Sequence, residues 1–244
     1  EDKKRLSKRH GATSVSEYRR QGYLPQAMVN FLALLGWSPG DDRELMSMDE
    51  LAGAFSLEGI SRGNAVFNTD KLDWMDGQYI VRLATDSLAA AVAPFFQEAG
   101  LQVRISDPWF QRLLDLLRPR AKRLTDFVDL ARPFLSDTVE YEAEAIEKHL
   151  GSAGLGAHVD ALATSLRSID PFDEPHVEAA VRGTAAERGI KAGMLIHATR
   201  VAVTGRTASP GLFEVLALLG RERTVARLER LVNFLATGPR ADFS

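Results

Sequence analysis

The 244-residue chain contains no cysteine, and its apolar residues never form a long uninterrupted run. Without cysteine the protein has no disulfide scaffold, no thiolate zinc site and no cysteine nucleophile. The longest mainly apolar stretch covers roughly ten residues around 27–37, about half of what a bilayer-spanning helix needs. We therefore expect no membrane span.

Motifs of common active sites are also missing from the sequence. It has no Gly-x-Ser-x-Gly, no Walker lysine loop and no Gly-x-Gly-x-x-Gly after a strand. The five histidines show no metal-ligand spacing, so we expect no metal site. Acidic residues on helices are interpreted as solvated faces rather than as paired catalytic carboxylates.

The sequence does not begin with methionine, and no apolar stretch follows the charges of residues 1–11, so we do not expect these residues to be a secretory signal. We interpret the chain as part of a longer protein. Its composition, 45% hydrophobic and 26% charged, is that of a globular protein, which excludes collagen-like and disordered classes.

Hydrophobic periodicity is helical nearly throughout and predicts a mainly α fold. Ser14 and Ser47 each precede a glutamate by three residues, which is the spacing of a capping box at a helix start. Pro25 predicts the start of a helix that Gly36 ends.

Farther along the chain, a short helix is predicted over 70–76 with its end at Gly77. Residues 78–83 are the only short strand candidate, and Pro94 predicts a kink or an early end in the helix that contains it. Later helices are predicted over 138–150, 176–188, 191–203, 210–219 and 221–236.

The net charge of -3 conceals a segregation of charge. Residues 1–20 carry seven basic and three acidic residues, 101–132 carry seven and four, and 181–209 carry five and one, whereas 41–58 and 137–150 are acidic. Local basic strips allow an acidic protein to bind nucleic acid. A helical module whose basic strips bind an acidic protein partner is the alternative.

The segment RLSKRHG at residues 5–11 sets cationic side chains around the hydroxyl of Ser7. A lysine ammonium is a compact charge that suits the oxygens of a polyphosphate. By charge alone, however, such a loop is more often simply solvated.

The same segment resembles the KMSKS loop of class I aminoacyl-tRNA synthetases, in the form found in bacterial glutamyl-tRNA synthetases. Further segments are similar to motifs of that family and follow in family order. They are GYLPQA (22–27), NFLALLGW (30–37), VFN (66–68), KLDWMDGQYI (71–80), RPR (118–120), RVAVTG (200–205), SPGLFE (209–214) and LG (219–220).

The resemblance implies a stem-contact helical module with the KMSKS loop over 1–84, followed by a two-part all-helical anticodon-binding region over 85–137 and 138–244. The Rossmann catalytic half with its HIGH motif is absent from this sequence. The family activity, ATP-dependent attachment of glutamate to tRNA, therefore belongs to the whole enzyme, and we expect this part alone to be inactive.

The resemblance also assigns roles in the loop. Lys8 matches the lysine that stabilises the triphosphate of ATP during glutamyl-adenylate formation, and Ser7 beside it is the second catalytic candidate. Arg5 and Arg9 replace a lysine and a serine of the motif and are predicted ATP contacts. ATP with Mg²⁺ is the implied cofactor, L-glutamate and tRNA(Glu) are the implied partners, and a cytoplasmic monomer is expected.

Two arginines flank Pro119 in the first anticodon-binding part. Arg120 falls on the family position that reads the third anticodon base, where arginine is associated with admitting cytosine and rejecting guanine. That favours glutamate tRNA over glutamine tRNA, although one residue does not exclude acceptance of both. Arg118 is a second predicted tRNA contact, or else it interacts with the dipole of the helix that it ends.

Contacts with the neighbouring anticodon bases are assigned by the resemblance to Arg200, Ser209, Pro210, Leu212 and Phe213. Phe213 offers a stacking face, but a phenylalanine in Leu-Phe-Glu-Val-Leu is more typical of a core position. Trp74, in the stem-contact motif, is predicted to bind tRNA, with a core position as the alternative.

Overall fold

The computed structural model describes residues 14–61, 63 and 65–237, and this part of the chain forms thirteen α-helices and no β-strand. The mainly α prediction is confirmed. No helix among these residues is long and apolar enough to cross a membrane. The helices are α1 (Val15–Arg20), α2 (Pro25–Gly36), α3 (Met48–Ala54), α4 (Thr69–Arg82), α5 (Thr85–Glu98), α6 (Pro108–Leu117), α7 (Asp126–Leu135), α8 (Ala143–His149), α9 (Leu155–Arg167), α10 (Glu174–Glu187), α11 (Ala192–Thr204), α12 (Leu212–Leu219) and α13 (Arg221–Thr237).

The chain divides into two compact units, unit 1 through Leu130 and unit 2 from Ala131 onward. The division falls within α7. The three-part organisation over 1–84, 85–137 and 138–244 stays a prediction.

Helix starts follow the predicted capping residues. The hydroxyl of Ser14 accepts a hydrogen bond from the backbone N–H of Glu17 at 3.3 Å. Ser47 and Glu50 form a complete capping box, in which each side chain accepts the other residue's backbone N–H at 3.2 and 2.7 Å. Helix α2 has both of its predicted bounds.

Helix α4 continues through Gly77, so the predicted helix end and the strand candidate at 78–83 are both wrong. A Cβ at Gly77 would lie 3.3 Å from the carbonyl oxygen of Ala121, so the glycine permits a close approach of another segment instead of ending the helix. Leu72 and Ile80 are fully buried, because the helical period places both on the core-facing side.

Helix α5 likewise continues past Pro94, and the early end expected there is not observed. A proline inside a helix removes one backbone hydrogen bond. Burial of Leu88, Val92 and Phe96 along one face of α5 offsets that loss.

The core of unit 1 joins α2 to α4. One buried cluster contains Tyr23, Met28, Phe31, Leu72 and Met75. Burial of apolar side chains of this size contributes roughly 1.5–3 kcal/mol each, so this cluster anchors the two helices on each other.

A polar network borders this cluster. Asp73 accepts hydrogen bonds from the hydroxyl of Tyr23 and from Arg123, whose Nε and Nη2 lie 2.9 and 3.0 Å from its two carboxylate oxygens. The Arg123 guanidinium also lies 4.6 Å from the centre of the Tyr23 ring. The aspartate on α4 is therefore paired with a cation from the segment before α7.

Asp76, three residues farther along α4, is completely buried. One carboxyl oxygen accepts the backbone N–H of Leu24 at 2.8 Å, and the other has no hydrogen-bond partner among the described residues. Burial raises the pKa of Asp76 to about 8; the Leu24 hydrogen bond opposes this rise and the negative charge of Asp73 adds to it. The folded state therefore favours the neutral carboxyl group.

In unit 2, α9 packs along α13. The contact buries one apolar face of each helix, including Val159 and Leu162 on α9 and Leu228 and Leu231 on α13. Helices α10, α11 and α12 pack against this pair and against one another.

Arg227 of α13 lies inside unit 2 and is only 3% exposed. Its guanidinium donates to the carbonyl oxygens of Val203 at 2.6 Å and of Pro133 and Ser136 at 2.7 Å each. These carbonyls lie near the C-terminal ends of α11 and α7, where helices leave acceptors unpaired. Burial lowers the pKa of Arg227 to about 10, assisted by two neighbouring arginines, so the group is charged at neutral pH.

Asp76→Asn is expected to stabilise the protein at alkaline pH. Because the folded-state pKa of about 8 lies above the ordinary value near 4, stability falls as pH rises between these values, by up to about 1.4 kcal/mol per pH unit. Above pH 8 the buried Asp76 carboxylate is charged and the loss of stability is complete. A neutral asparagine avoids this loss. The measurement is the free energy of unfolding in urea from pH 5 to 9. At pH 9 it should be higher for the variant than for the wild type by about 2 kcal/mol or more.

The matched control is Asp42→Asn, because Asp42 is exposed in the same unit. The free energy of unfolding of Asp42→Asn should change with pH in the same way as that of the wild type. A gain for Asp76→Asn that is equal at pH 5 and pH 9 would contradict the raised pKa.

Candidate functional site

The loop residues Arg5, Ser7, Lys8 and Arg9 lie outside the described residues. Their contacts with ATP and Mg²⁺ stay predictions. Within the described ranges there is no group of three or more His, Asp or Glu side chains that could hold a metal ion.

Arg118 begins a short 3₁₀ turn, Arg118–Arg120, directly after α6. Its guanidinium donates to the carbonyl oxygen of Leu83 at 2.7 Å and to the hydroxyl of Thr85 at 2.9 Å, and it pairs with the carboxylate of Asp115. Arg118 therefore fastens the end of α6 to the connection between α4 and α5.

Arg120, at the other end of the turn, is exposed, as is Pro119. The two arginines that flank Pro119 thus differ in their surroundings. Arg118 is bound within unit 1, and Arg120 lies on its surface.

Three predicted contact residues of unit 2 come together at the C-terminal half of α11. Nη1 of Arg200 donates to the hydroxyl of Ser209 and to the carbonyl oxygen of Pro210, the latter at 3.1 Å. The Ser209 hydroxyl in turn donates to the Pro210 carbonyl at 2.8 Å. A planar cation is therefore held against the segment that precedes α12.

The turn after α11 depends on Gly205, whose φ of +77° is in the left-handed region. A Cβ there would lie 2.0 Å from the carbonyl oxygen of Glu140, so no other residue fits. The backbone N–H of Glu142 donates to the Gly205 carbonyl at 2.9 Å. This turn sets the direction of the segment that carries Ser209.

Helix α12 buries Leu212, Val215 and Leu216, which lie on one helical face. Phe213 lies off that face and is half-buried, so it does not occupy the core position that its sequence pattern favours. The Arg182 guanidinium lies 5.9 Å from the centre of the Phe213 ring.

Trp74 lies on α4 and is 42% exposed, although its neighbour Met75 is fully buried. The core alternative for Trp74 is therefore wrong. Its indole offers an accessible aromatic surface on unit 1.

Two features of unit 2 escaped the sequence reasoning. Arg182 contacts Phe213 from a different helix, and no motif connects these residues. His149 and His197 stack on each other, with ring centres 4.5 Å apart. The sequence offered one signal for His197 as a site residue. It precedes Arg200 by three residues on a predicted helix, so His197 and Arg200 occupy neighbouring positions on that helix.

Comparison with protein families defines the class of this chain. Residues 87–232, more than half of it, match the family described as "Anticodon binding domain", and the chain belongs to that family. Residues 1–74 match the family "tRNA synthetases class I (E and Q), catalytic domain". The chain thus corresponds to the tail of the catalytic domain and the anticodon-binding domain of a bacterial glutamate-tRNA ligase.

Individual relatives agree with this assignment. The chain is 42% identical over 235 residues to glutamate-tRNA ligase 1 of Syntrophomonas wolfei, covering 96% of this chain and 48% of the relative. It is 43% identical over 233 residues to glutamate-tRNA ligase 2 of Koribacter versatilis, covering 94% and 48%. The chain therefore spans about half the length of the curated relatives it matches.

A solved structure shares the fold. The crystal structure of a glutamate tRNA ligase from Elizabethkingia meningosepticum, in complex with its amino acid, superposes with a TM-score of 0.85 at 25% sequence identity. The match covers 96% of this chain and 49% of that one.

Arg118→Gln is expected to lower the free energy of unfolding by roughly 1–3 kcal/mol, because carbonyl acceptors at the end of α4 lose a charged donor. Arg112→Gln alters an exposed arginine of α6 in the same unit and should change the free energy of unfolding by less than about 0.5 kcal/mol. Urea unfolding of both variants at neutral pH is the measurement. Equal losses in the two variants would show that Arg118 does not fasten this turn.

Proposed function

We propose that this chain is the tRNA-binding portion of a glutamate-tRNA ligase and that it reads the anticodon loop of tRNA(Glu). The observation that carries the proposal is the grouping of Arg200, Ser209 and Pro210 within the range that matches the anticodon-binding family. In this proposal residues 1–84 contact the tRNA stem, and 85–137 and 138–244 form the two anticodon-binding parts.

The chemistry of these residues suits an unpaired loop. Proteins recognise splayed bases through planar hydrogen-bond donors and through aromatic faces on which the bases stack. Arg120 supplies an exposed guanidinium, and Phe213 and Trp74 supply accessible rings. Arg118 and Leu212 are also assigned to tRNA contact by the resemblance, but both are engaged within the protein. In this proposal Arg118 acts by positioning the turn that carries Arg120, and Leu212 acts by anchoring the helix that carries Phe213.

The longer protein that contains this chain would form glutamyl-adenylate from L-glutamate and ATP with Mg²⁺ before transfer to tRNA. Lys8 and Ser7, with Arg5 and Arg9, are the proposed contacts with the triphosphate. The glutamate and adenine pockets belong to the catalytic half, so we propose that this chain alone forms no adenylate. The proposed setting is a cytoplasmic monomer.

The 244-residue chain should bind the isolated anticodon stem-loop of tRNA(Glu), and Arg200→Gln should weaken this binding roughly ten- to hundredfold. The expected loss follows from the removal of a charged donor that also orders Ser209 and Pro210. Fluorescence anisotropy with labelled stem-loop, at two salt concentrations, is the measurement.

The matched control is Arg167→Gln, since Arg167 lies in the same unit and pairs with Glu229 on an exposed surface. It should bind the stem-loop as the wild type does. Urea unfolding of each variant excludes loss of the fold as the cause. If polyglutamate competes as well as the stem-loop, the acidic protein partner is the better explanation.

Arg120→Gln, introduced into the full-length ligase, should narrow the preference for glutamate tRNA over glutamine tRNA by roughly one to two decades. A guanidinium donates to the acceptor edge of cytosine, and a wrong base typically costs about 1–3 kcal/mol. Charging of the two tRNAs by wild type and variant at one ionic strength is the measurement. An unaltered ratio with unaltered adenylate formation would show that Arg120 does not discriminate between the bases.

A further inference from the structure

Two histidines form an aromatic pair beside the proposed anticodon site. His149 is the last residue of α8, and His197 lies on α11, which packs against α8. Their ring centres are 4.5 Å apart and their planes differ by 6°, so the imidazoles are stacked face to face. His149 is half-buried and His197 is exposed, which makes His197 the outer member of the pair.

The pair is close to Arg200. His197 and Arg200 are three residues apart on α11, and therefore occupy neighbouring positions on its surface. Burial lowers the pKa of His149, as do the positive charges of His197, Lys148 and Arg200, while Glu144 opposes the shift. A neutral His149 at neutral pH lets the two rings stack without charge repulsion.

We infer that His197, supported from below by His149, is a platform on which one unpaired nucleobase of the bound RNA stacks. This inference rests on the proposed function and adds a residue to its site. Histidine rings are among the aromatic surfaces that carry splayed bases in RNA complexes. Lys148 and Arg200 supply positive charge close to the platform, which favours the phosphates on either side of a stacked base.

The geometry favours stacking over the other roles of a histidine pair. Stacked imidazoles do not aim their nitrogens at a common point, and the described residues supply no group of three ligands for a metal ion. A pair that served only to pack α8 against α11 would be buried on both rings, whereas His197 is exposed.

The test compares His197→Ala with His197→Phe in the 244-residue chain. Binding of the anticodon stem-loop should weaken about tenfold in His197→Ala, since stacking on one aromatic side chain contributes on this scale. His197→Phe should stay within about twofold of the wild type, because phenylalanine keeps the flat face and loses only the ring nitrogens. Neither variant should change the salt dependence, because no phosphate contact is removed.

A second arm locates the stacked base. Stem-loops that carry an abasic site at one loop position at a time are titrated with wild type and His197→Ala. At one position, removal of the base should weaken binding to the wild type about tenfold and should cause no further loss in His197→Ala.

The outcomes separate this inference from the proposed function. If His197→Ala binds as tightly as the wild type while Arg200→Gln remains weak, the platform is refuted and the proposed function stands. If His197→Phe is as weak as His197→Ala, a ring nitrogen and not stacking accounts for the effect, and the inference is overturned. If the wild type does not bind the stem-loop, the proposed function fails and the platform fails with it.

Discussion

Short helices leave unpaired carbonyl groups at their C-terminal ends, and in both units of this protein an arginine with little exposed surface binds such groups. Arg227 binds three carbonyl oxygens near the ends of α7 and α11, and Arg118 binds the carbonyl of Leu83 after α4. Arginine suits this role because its guanidinium is planar, carries five donors and keeps its charge when buried. The packing of these helices therefore depends on cations that face inward.

Because some arginines bind carbonyl or carboxylate groups of the protein itself, a basic segment of the sequence is not in its entirety a binding surface. In 101–132, Arg118 and Arg123 are both engaged within unit 1, the latter with Asp73. The number of basic residues in this segment is therefore larger than the number available to bind a partner, because some of them are engaged inside the unit. Arg120 is exposed in the same segment, so the geometry of one 3₁₀ turn separates a supporting arginine from an accessible one.

The proposed anticodon site depends on a second local constraint. Gly205 allows a left-handed turn where any side chain would collide with the backbone of Glu140. The following segment then reaches Arg200, whose guanidinium holds Ser209 and Pro210. Polar groups that are ordered before RNA arrives lose less conformational entropy on binding, which is the physical advantage of this arrangement.

The sequence by itself determined the helical class, the capping box at Ser47, the bounds of α2 and the family motifs, because such signals depend on residues a few positions apart. The tertiary structure decided that Gly77 lies inside a helix, that Asp76 is buried with a raised pKa, and that Phe213 is half-buried. It also brought His149 to His197. Burial, pKa shifts and ring stacking depend on segments that are distant in the sequence, so no local pattern contains them.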